Sequence, residues 1–276
     1  MIPAGIICNL CGQKDFKVIE EEAPYKVLQC ESCSLIFVYP FPGRTELEEH
    51  YDKSYYGEWL DEQKTPRITM WNRRLKRLER FRSGGKLLDV GCGEGTFLQL
   101  ARQSGWWTSG TEISKYAAEY AENYSGAEIF CGELLAAGYP QGFFDVITMW
   151  HVLEHVSDPK RYLAEIHYIL KPDGLLVIAV PNLNNLVMQF AYRIIKRRKL
   201  KLFSKGEKEV HLYHFSPKTT KAYLDKTGFE CIGLLPDFGI VEYSKKLINM
   251  ISVIPYYLAG IKIFNAIEIY ATPKAE

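Results

Sequence analysis

The chain has 276 residues, enough for one α/β core and a small accessory unit. Its apolar share of 47% and charged share of 24% are those of a globular protein, which excludes a disordered or fibrous chain. A net charge of +1 gives the molecule no overall pull toward nucleic acid or another polyanion.

The first residues lack the basic start and long apolar stretch of a signal peptide. No apolar run reaches membrane-spanning length, since Leu247–Ile261 is broken by Asn249, Ser252 and Pro255. A cytoplasmic protein is expected. In that reducing setting the seven cysteines divide by spacing. Cys92, Cys131 and Cys231 are scattered and read as small buried apolar side chains. Cys8, Cys11, Cys30 and Cys33 form two CxxC pairs separated by eighteen residues, the spacing of a four-cysteine structural zinc site.

Residues 1–43 therefore read as a zinc ribbon, with strands at Lys17–Glu20, Lys26–Gln29 and Leu35–Tyr39 and a closing Pro40-Phe41-Pro42-Gly43 turn. Its three lysines face five acids (Asp15, Glu20, Glu21, Glu22 and Glu31), the wrong sign for gripping phosphates. A folding staple or substrate-side lid fits better than an RNA grip. Residues 44–82 are expected to be a helical linker or lid, charged over Arg44–Tyr51 and apolar at Trp71, Leu75, Leu78 and Phe81. Ser83-Gly84-Gly85 ends it.

From residue 83 to 276 apolar strands alternate with amphipathic helices, the pattern of a parallel sheet covered on both faces. Strands are expected at Leu87–Val90, Trp107–Glu112, Glu128–Cys131, Asp145–Met149, Leu175–Val180, Cys231–Leu235 and Ile267–Thr272, with insertions at 182–212 and 240–263. Helices start near Gly95, Ser114, Asp158 and Ser216. Lys86–Leu98 is a strand, a turn with glycines at 91, 93 and 95, and a helix start whose free N–H groups suit a ligand. A nicotinamide-binding turn would place its third glycine one residue later. Asp89 can order this turn, and Glu112 at the end of the second strand can accept hydrogen bonds from two ribose hydroxyls.

Taken in order, these residues resemble the cofactor loop and ribose acid of class I S-adenosylmethionine-dependent methyltransferases, over roughly Leu87 to Thr272. The segment Phe143–Pro159, with its FDV, LEH and DP, resembles the fourth-strand region of the same family, and His211–Pro217 a later signature of it. The resemblance implies a seven-stranded Rossmann-like sheet with a reversed last strand and S-adenosylmethionine as cofactor. It implies that Gly91, Cys92, Gly93 and Gly95 surround the methionine part, with Glu112 and Ile113 at the ribose. Gly132, Glu133 and Leu134 follow at the adenine, where the usual aspartate is Glu133. Trp150 and His151 are expected beside the methyl group. His211 and His214 are expected to face the acceptor.

That cofactor is already activated, so the protein has chiefly to align a nucleophile, worth roughly 7–11 kcal/mol at the upper end. For a hydroxyl acceptor, His155 and His151 are candidate bases, with Glu154 orienting them. His151–His155 also spells HxxEH, an inverted zinc-hydrolase pattern, but a pair straddling a strand end does not suit it. Ubiquinone-type O-methyltransferases, which this segment resembles, hold a divalent cation with its acid and histidine. The plain alternative is that Glu154 and His155 order a helix entrance. After Pro181, Leu183, Leu186, Val187, Phe190 and Ile194 recur at helical spacing, and Arg193–Lys205 holds seven basic residues and no acid. Residues 183–205 thus read either as a membrane-surface helix or as a lid with a solvated basic end. The acceptor is expected to be a small molecule, a glycan or a lipid-linked compound, methylated on oxygen. The rivals are a ribosomal-RNA methyltransferase and a catalytically idle binding protein.

Overall fold

The computed structural model describes residues 5–43, 64–195, 197, 200–205, 210–237, 239 and 243–275, without the side chains of Lys64 and residues 243–249. The helix expected over Arg44–Tyr51 lies outside the described residues.

Three strands come first: β1 (Phe16–Glu22), β2 (Tyr25–Cys30) and β3 (Ile36–Tyr39). Helix α1 (Lys64–Leu78) follows, ending three residues before the expected Phe81. The main unit then alternates: β4 (Lys86–Val90), α2 (Thr96–Gln103), β5 (Trp107–Glu112), α3 (Lys115–Ser125), β6 (Glu128–Cys131), β7 (Phe144–Trp150), α4 (Pro159–Ile169) and β8 (Leu170–Pro181). Helix α5 (Leu186–Ile195), the two-residue β9 (Tyr213–His214), α6 (Pro217–Lys226), β10 (Phe229–Pro236), α7 (Tyr243–Ala259) and β11 (Ala266–Pro273) complete the chain.

The large sheet has the order β10-β11-β8-β7-β4-β5-β6. Neighbouring strands from β6 through β8 run parallel, while β11 is antiparallel to both β8 and β10. This is the seven-stranded Rossmann-like arrangement with a reversed last strand. Every residue of β7 is buried, because helices cover both faces of a central parallel strand. Local chemistry sets the helix starts. Ser114 caps α3, Asp158 caps α4 ahead of Pro159, and Ser216 with Thr219 forms a capping box ahead of Pro217. Strand β8 begins at Leu170 rather than Leu175, because Leu170 already pairs with Phe144 and Lys171 reaches Asp145 at 2.8 Å.

The small sheet has the order β1-β2-β3-β9. Its fourth strand comes from the insertion after β8, more than 170 residues later in the chain. The ribbon is also tied down by side chains. Asn9 donates to Asp158 at 2.8 Å, and Tyr223 donates to Asn9 at 2.9 Å. Asp158, the cap of α4, thus holds both its own helix and the ribbon.

Candidate active site

A cavity of about 630 Å³ opens at the carboxyl ends of β4, β5, β7 and β8, where open α/β sheets take their ligands. Asp89, Gly91, Cys92, Gly93, Glu112, Ile113, Glu133, Leu134, Trp150 and His151 all line it. Gly95, expected at the cofactor, is not among the lining residues. It has φ +80°, and a Cβ there would meet the backbone of Ala121 at 3.0 Å, so its missing side chain lets α2 pack on α3. Gly91 is constrained on the cavity side. Its φ is +70°, and a Cβ would stand 2.6 Å from Val152 Cγ2.

Glu112 organises the cofactor end. One carboxylate oxygen accepts from Gly93 N–H at 3.0 Å and the other from Ser114 N–H at 2.9 Å. The acid thereby fixes the glycine turn and the start of α3 together, and bonds to an ionised acceptor are the stronger kind. Asp89 lies beneath the turn, accepting from Thr148 Oγ1 at 2.6 Å. Burial pushes its carboxyl up to about 7, against the opposing bond from Thr148.

Helix α1 closes one side of the cavity with Arg67, Met70, Trp71 and Arg74. Arg67 bonds Glu94 of the glycine turn, and Glu94 also accepts from Thr96 Oγ1 at 2.9 Å. Arg74 lies over the rings of Trp71 and Trp150, at 4.8 and 4.6 Å from their centroids. It donates to both oxygens of Asp237, at 3.2 and 2.6 Å. Sequence reading missed Arg67, Arg74 and Asp237. The signal for Asp237 was present: like Glu112, it is an acid at the end of a strand of the large sheet.

His151 has φ +57°, its ring lies 3.1 Å from Asp237 Oδ2 through Nε2, and its Nδ1 is 3.4 Å from Glu154. Burial alone would lower its pKa, but Asp237 and Glu154 outweigh that and raise it to about 9. Both of its nitrogens are turned to carboxylates, which favours the protonated ring. With both nitrogens engaged in this way, His151 is the less suitable of the two candidate bases. Asp237 is buried yet held far below the carboxylate range, because Arg74 and His151 overcome the cost of desolvation.

His155 is held differently. Its Nδ1 meets the carbonyl oxygen of Val210 at 2.9 Å, and a carbonyl only accepts, so Nδ1 carries the proton. In the neutral ring Nε2 is then the basic nitrogen. Glu154 and His211 lie beside it, and each of the three offers a ligand atom within 4.8 Å of the others. Glu154 is fully buried, and among the described residues neither of its oxygens accepts a hydrogen bond. Its carboxyl is nonetheless held down, since His151, His155 and His211 counter the effect of burial. His151 is not part of this group, so HxxEH does not close around one ion as a hydrolase would require. His211 lines the cavity, whereas His214 sits in β9 and is not among the lining residues. Burial and the neighbouring His211 lower the His214 pKa to about 3.

In the ribbon, the four cysteine sulfurs converge from two similar turns. Cys8 O accepts from Gly12 N and Cys30 O from Ser34 N, with Gly12 and Ser34 both at positive φ. The Cys8–Cys33 and Cys11–Cys30 sulfurs are each 3.5 Å apart, too far for a disulfide and close to the roughly 3.8 Å that tetrahedral zinc–thiolate bonds imply. The donor set fits zinc. Phe41 and Pro42, at the ribbon's end, line the cavity.

A family model described as a methyltransferase domain matches residues 61–234. Ubiquinone biosynthesis O-methyltransferase of Thiobacillus denitrificans is 36% identical over 109 residues, 37% of this chain and 47% of that protein. Its counterpart in Saccharophagus degradans is 30% identical over 152 residues, 52% of this chain and 63% of that protein. The chain thus spans about half the length of the curated relatives it matches. Among solved structures, magnesium protoporphyrin IX methyltransferase from Synechocystis PCC 6803, with bound S-adenosylhomocysteine, has TM-score 0.59 at 13% identity, covering 84% of this chain and 100% of that one. A methyltransferase from Mesorhizobium loti has TM-score 0.51 at 17% identity, covering 72% and 96%. At such identities the likeness is one of fold.

Proposed function

The chain belongs to this methyltransferase family; from that premise we propose that it is an S-adenosylmethionine-dependent enzyme that methylates an oxygen of a small-molecule acceptor, with His155 as the base. The observation that carries this reading is the bond from His155 Nδ1 to the Val210 carbonyl, which leaves Nε2 to receive a proton inside the cavity. The cofactor supplies an activated methyl group. Glu112 would hold its ribose, and the turn at Gly91 and Gly93 would let backbone close on its methionine part. As the acceptor oxygen takes that methyl group, its proton would pass to His155. His151, with both nitrogens turned to Asp237 and Glu154, would bound the acceptor pocket as a fixed ring. Such a base contributes roughly 10²–10⁴ in rate.

One observation favours a second reading of the same corner. Glu154 is buried with His151 Nδ1 at 3.4 Å, yet among the described residues neither oxygen accepts a hydrogen bond, a costly state unless something else meets them. Glu154, His155 and His211 would suit a divalent cation that lowers the acceptor hydroxyl's pKa. Titration with Mn2+ or Mg2+ by calorimetry separates the two: heat lost in Glu154→Gln supports the ion, and no heat in the wild type leaves His155 as base.

The four ribbon cysteines are assigned structural zinc on the same footing, with the chain divided into ribbon (1–43), lid (44–82) and catalytic domain (83–276). The acidic ribbon argues against an RNA substrate. Incubation of cell fractions with methyl-labelled S-adenosylmethionine tests the acceptor class. Label in small organic-extractable or sugar-bearing compounds supports the proposal; label in RNA or protein overturns it.

A further inference from the structure

Helices α5 and α7 both leave the sheet beside the cavity mouth. Pro181 and Gly239, which precede them, are cavity-lining residues. The two helices pack on each other and are pinned at their bases. Asn182 Nδ2 donates to the carbonyls of Lys262 and Phe264 at 3.1 and 2.8 Å, and Asn185 Oδ1 accepts from Met188 N–H at 3.0 Å. The inner side of α7 is anchored too: Ser252 and Val253 are buried, and Tyr256 donates to the Leu234 carbonyl at 3.1 Å.

Their outer sides are uncovered. No residue of α5 is buried, although Leu186, Phe190 and Ile194 form one apolar face at helical spacing. On α7, Met250, Ile254 and Leu258 do the same, and exposure reaches 67% at Phe190 and 81% at Leu258. Burial of apolar side chains of this size is favourable, so a continuous face of them calls for an occupant. The residues beside it say which. The run from Arg193 to Lys205 carries seven basic residues and no acid. The ribbon takes up part of this charge, since Lys201 pairs with Glu22 at 3.1 Å and Leu202 N–H with Glu20 at 2.9 Å. Arg193 and Arg197 remain exposed at the end of α5. A second copy seated face to face would bring two basic runs together, whereas an anionic bilayer neutralises them. Among the described residues no helix is long and apolar enough to cross a membrane, which leaves the pair to lie in the interface.

We propose that the outer face of α5 and α7 docks on anionic lipid bilayers, with Phe190 and Leu258 entering the acyl boundary and Arg193 and Arg197 on headgroup phosphates. Docking in this way sets the cavity edge of the sheet against the lipid surface. The inference goes beyond the methyl-transfer reading and stands without it, because vesicle binding needs no acceptor.

The test is flotation of the full chain with vesicles of equal parts phosphatidylcholine and phosphatidylglycerol, and with phosphatidylcholine alone. Binding is expected to the anionic vesicles, weakened by salt. Phe190→Ser with Leu258→Ser should weaken it roughly tenfold or more while S-adenosylhomocysteine still raises the melting temperature, which shows the variant folded. Three results overturn the proposal: wild type that never floats, a double variant that floats like wild type, or a dimer in light scattering that the same substitutions split. Failure of the vesicle test leaves methyl transfer untouched, and the reverse also holds.

Discussion

His151 and Asp237 meet at 3.1 Å across 86 residues of chain, and Arg74 bonds the aspartate and stands 3.3 Å from the same ring nitrogen. With Glu154 they make a cluster of two cations and two carboxylates around the cavity's deep side. Removing one member of such a buried group leaves its partner unpaired, which costs more than the pair itself contributes. Three separate segments supply these residues (α1, the turn after β7 and the residue after β10), so the cluster also locks α1 and the end of β10 onto the sheet.

The His151 ring should titrate near pH 9 when followed by NMR, and Asp237→Asn should bring it back toward the ordinary imidazole range. The folded value lies above the unfolded one, so the associated stabilisation is complete below about pH 6.5 and fades as pH rises through 9. Partial exposure of the ring reduces its size. Stability that climbs across that window in the wild type would contradict the assigned charge.

Asp89 acts in a lower window. Its carboxyl is raised by burial from 3.8 to about 7, so the folded protein holds this proton where the unfolded chain has lost it. Stability should therefore fall as pH rises from about 4 to 7, by up to roughly 4 kcal/mol. Asp89→Asn should flatten that slope in chemical denaturation; an unchanged slope would show that other groups produce it.

Gly91→Ala places a methyl group at positive φ and against Val152. The expected cost is about 1–3 kcal/mol of stability, with S-adenosylhomocysteine affinity reduced more than tenfold by calorimetry. Glu112→Gln should also weaken that affinity, by roughly ten- to a hundredfold, while leaving the core intact. Wild-type affinity in both would remove the cofactor from this turn.

Purified protein should carry one zinc per chain by elemental analysis, and Cys30→Ser should lose it with a clear drop in melting temperature. Because β3 pairs with β9 just past His211, the acceptor corner should loosen while the cofactor turn stays formed. Lost acceptor turnover with retained S-adenosylhomocysteine binding is the expected signature. Cofactor affinity falling in step with zinc would contradict it.

The donor half of the site was legible in the sequence because it is local. A strand, three glycines and an acid at the end of the next strand lie within 26 residues, and their spacing alone places Gly91, Gly93 and Glu112 together. The acceptor half is assembled over long range. Arg74, His151 and Asp237 come from distant segments, and only the topology reveals that His151 stands between two carboxylates while His155 Nδ1 meets a carbonyl oxygen. Gly95 and His214 show the limit from the other side. Both sit in motifs, yet one serves helix packing and the other a sheet edge. The fourth strand of the ribbon sheet was likewise invisible, since two residues carry no periodicity.

The most direct test compares wild type with His155→Ala, using labelled S-adenosylmethionine and the acceptor fraction that takes up label. The expected result is a kcat lowered roughly 10²–10⁴-fold with S-adenosylhomocysteine affinity unchanged. Turnover at the wild-type rate in His155→Ala would contradict the assignment of the base, and with it the reaction proposed here.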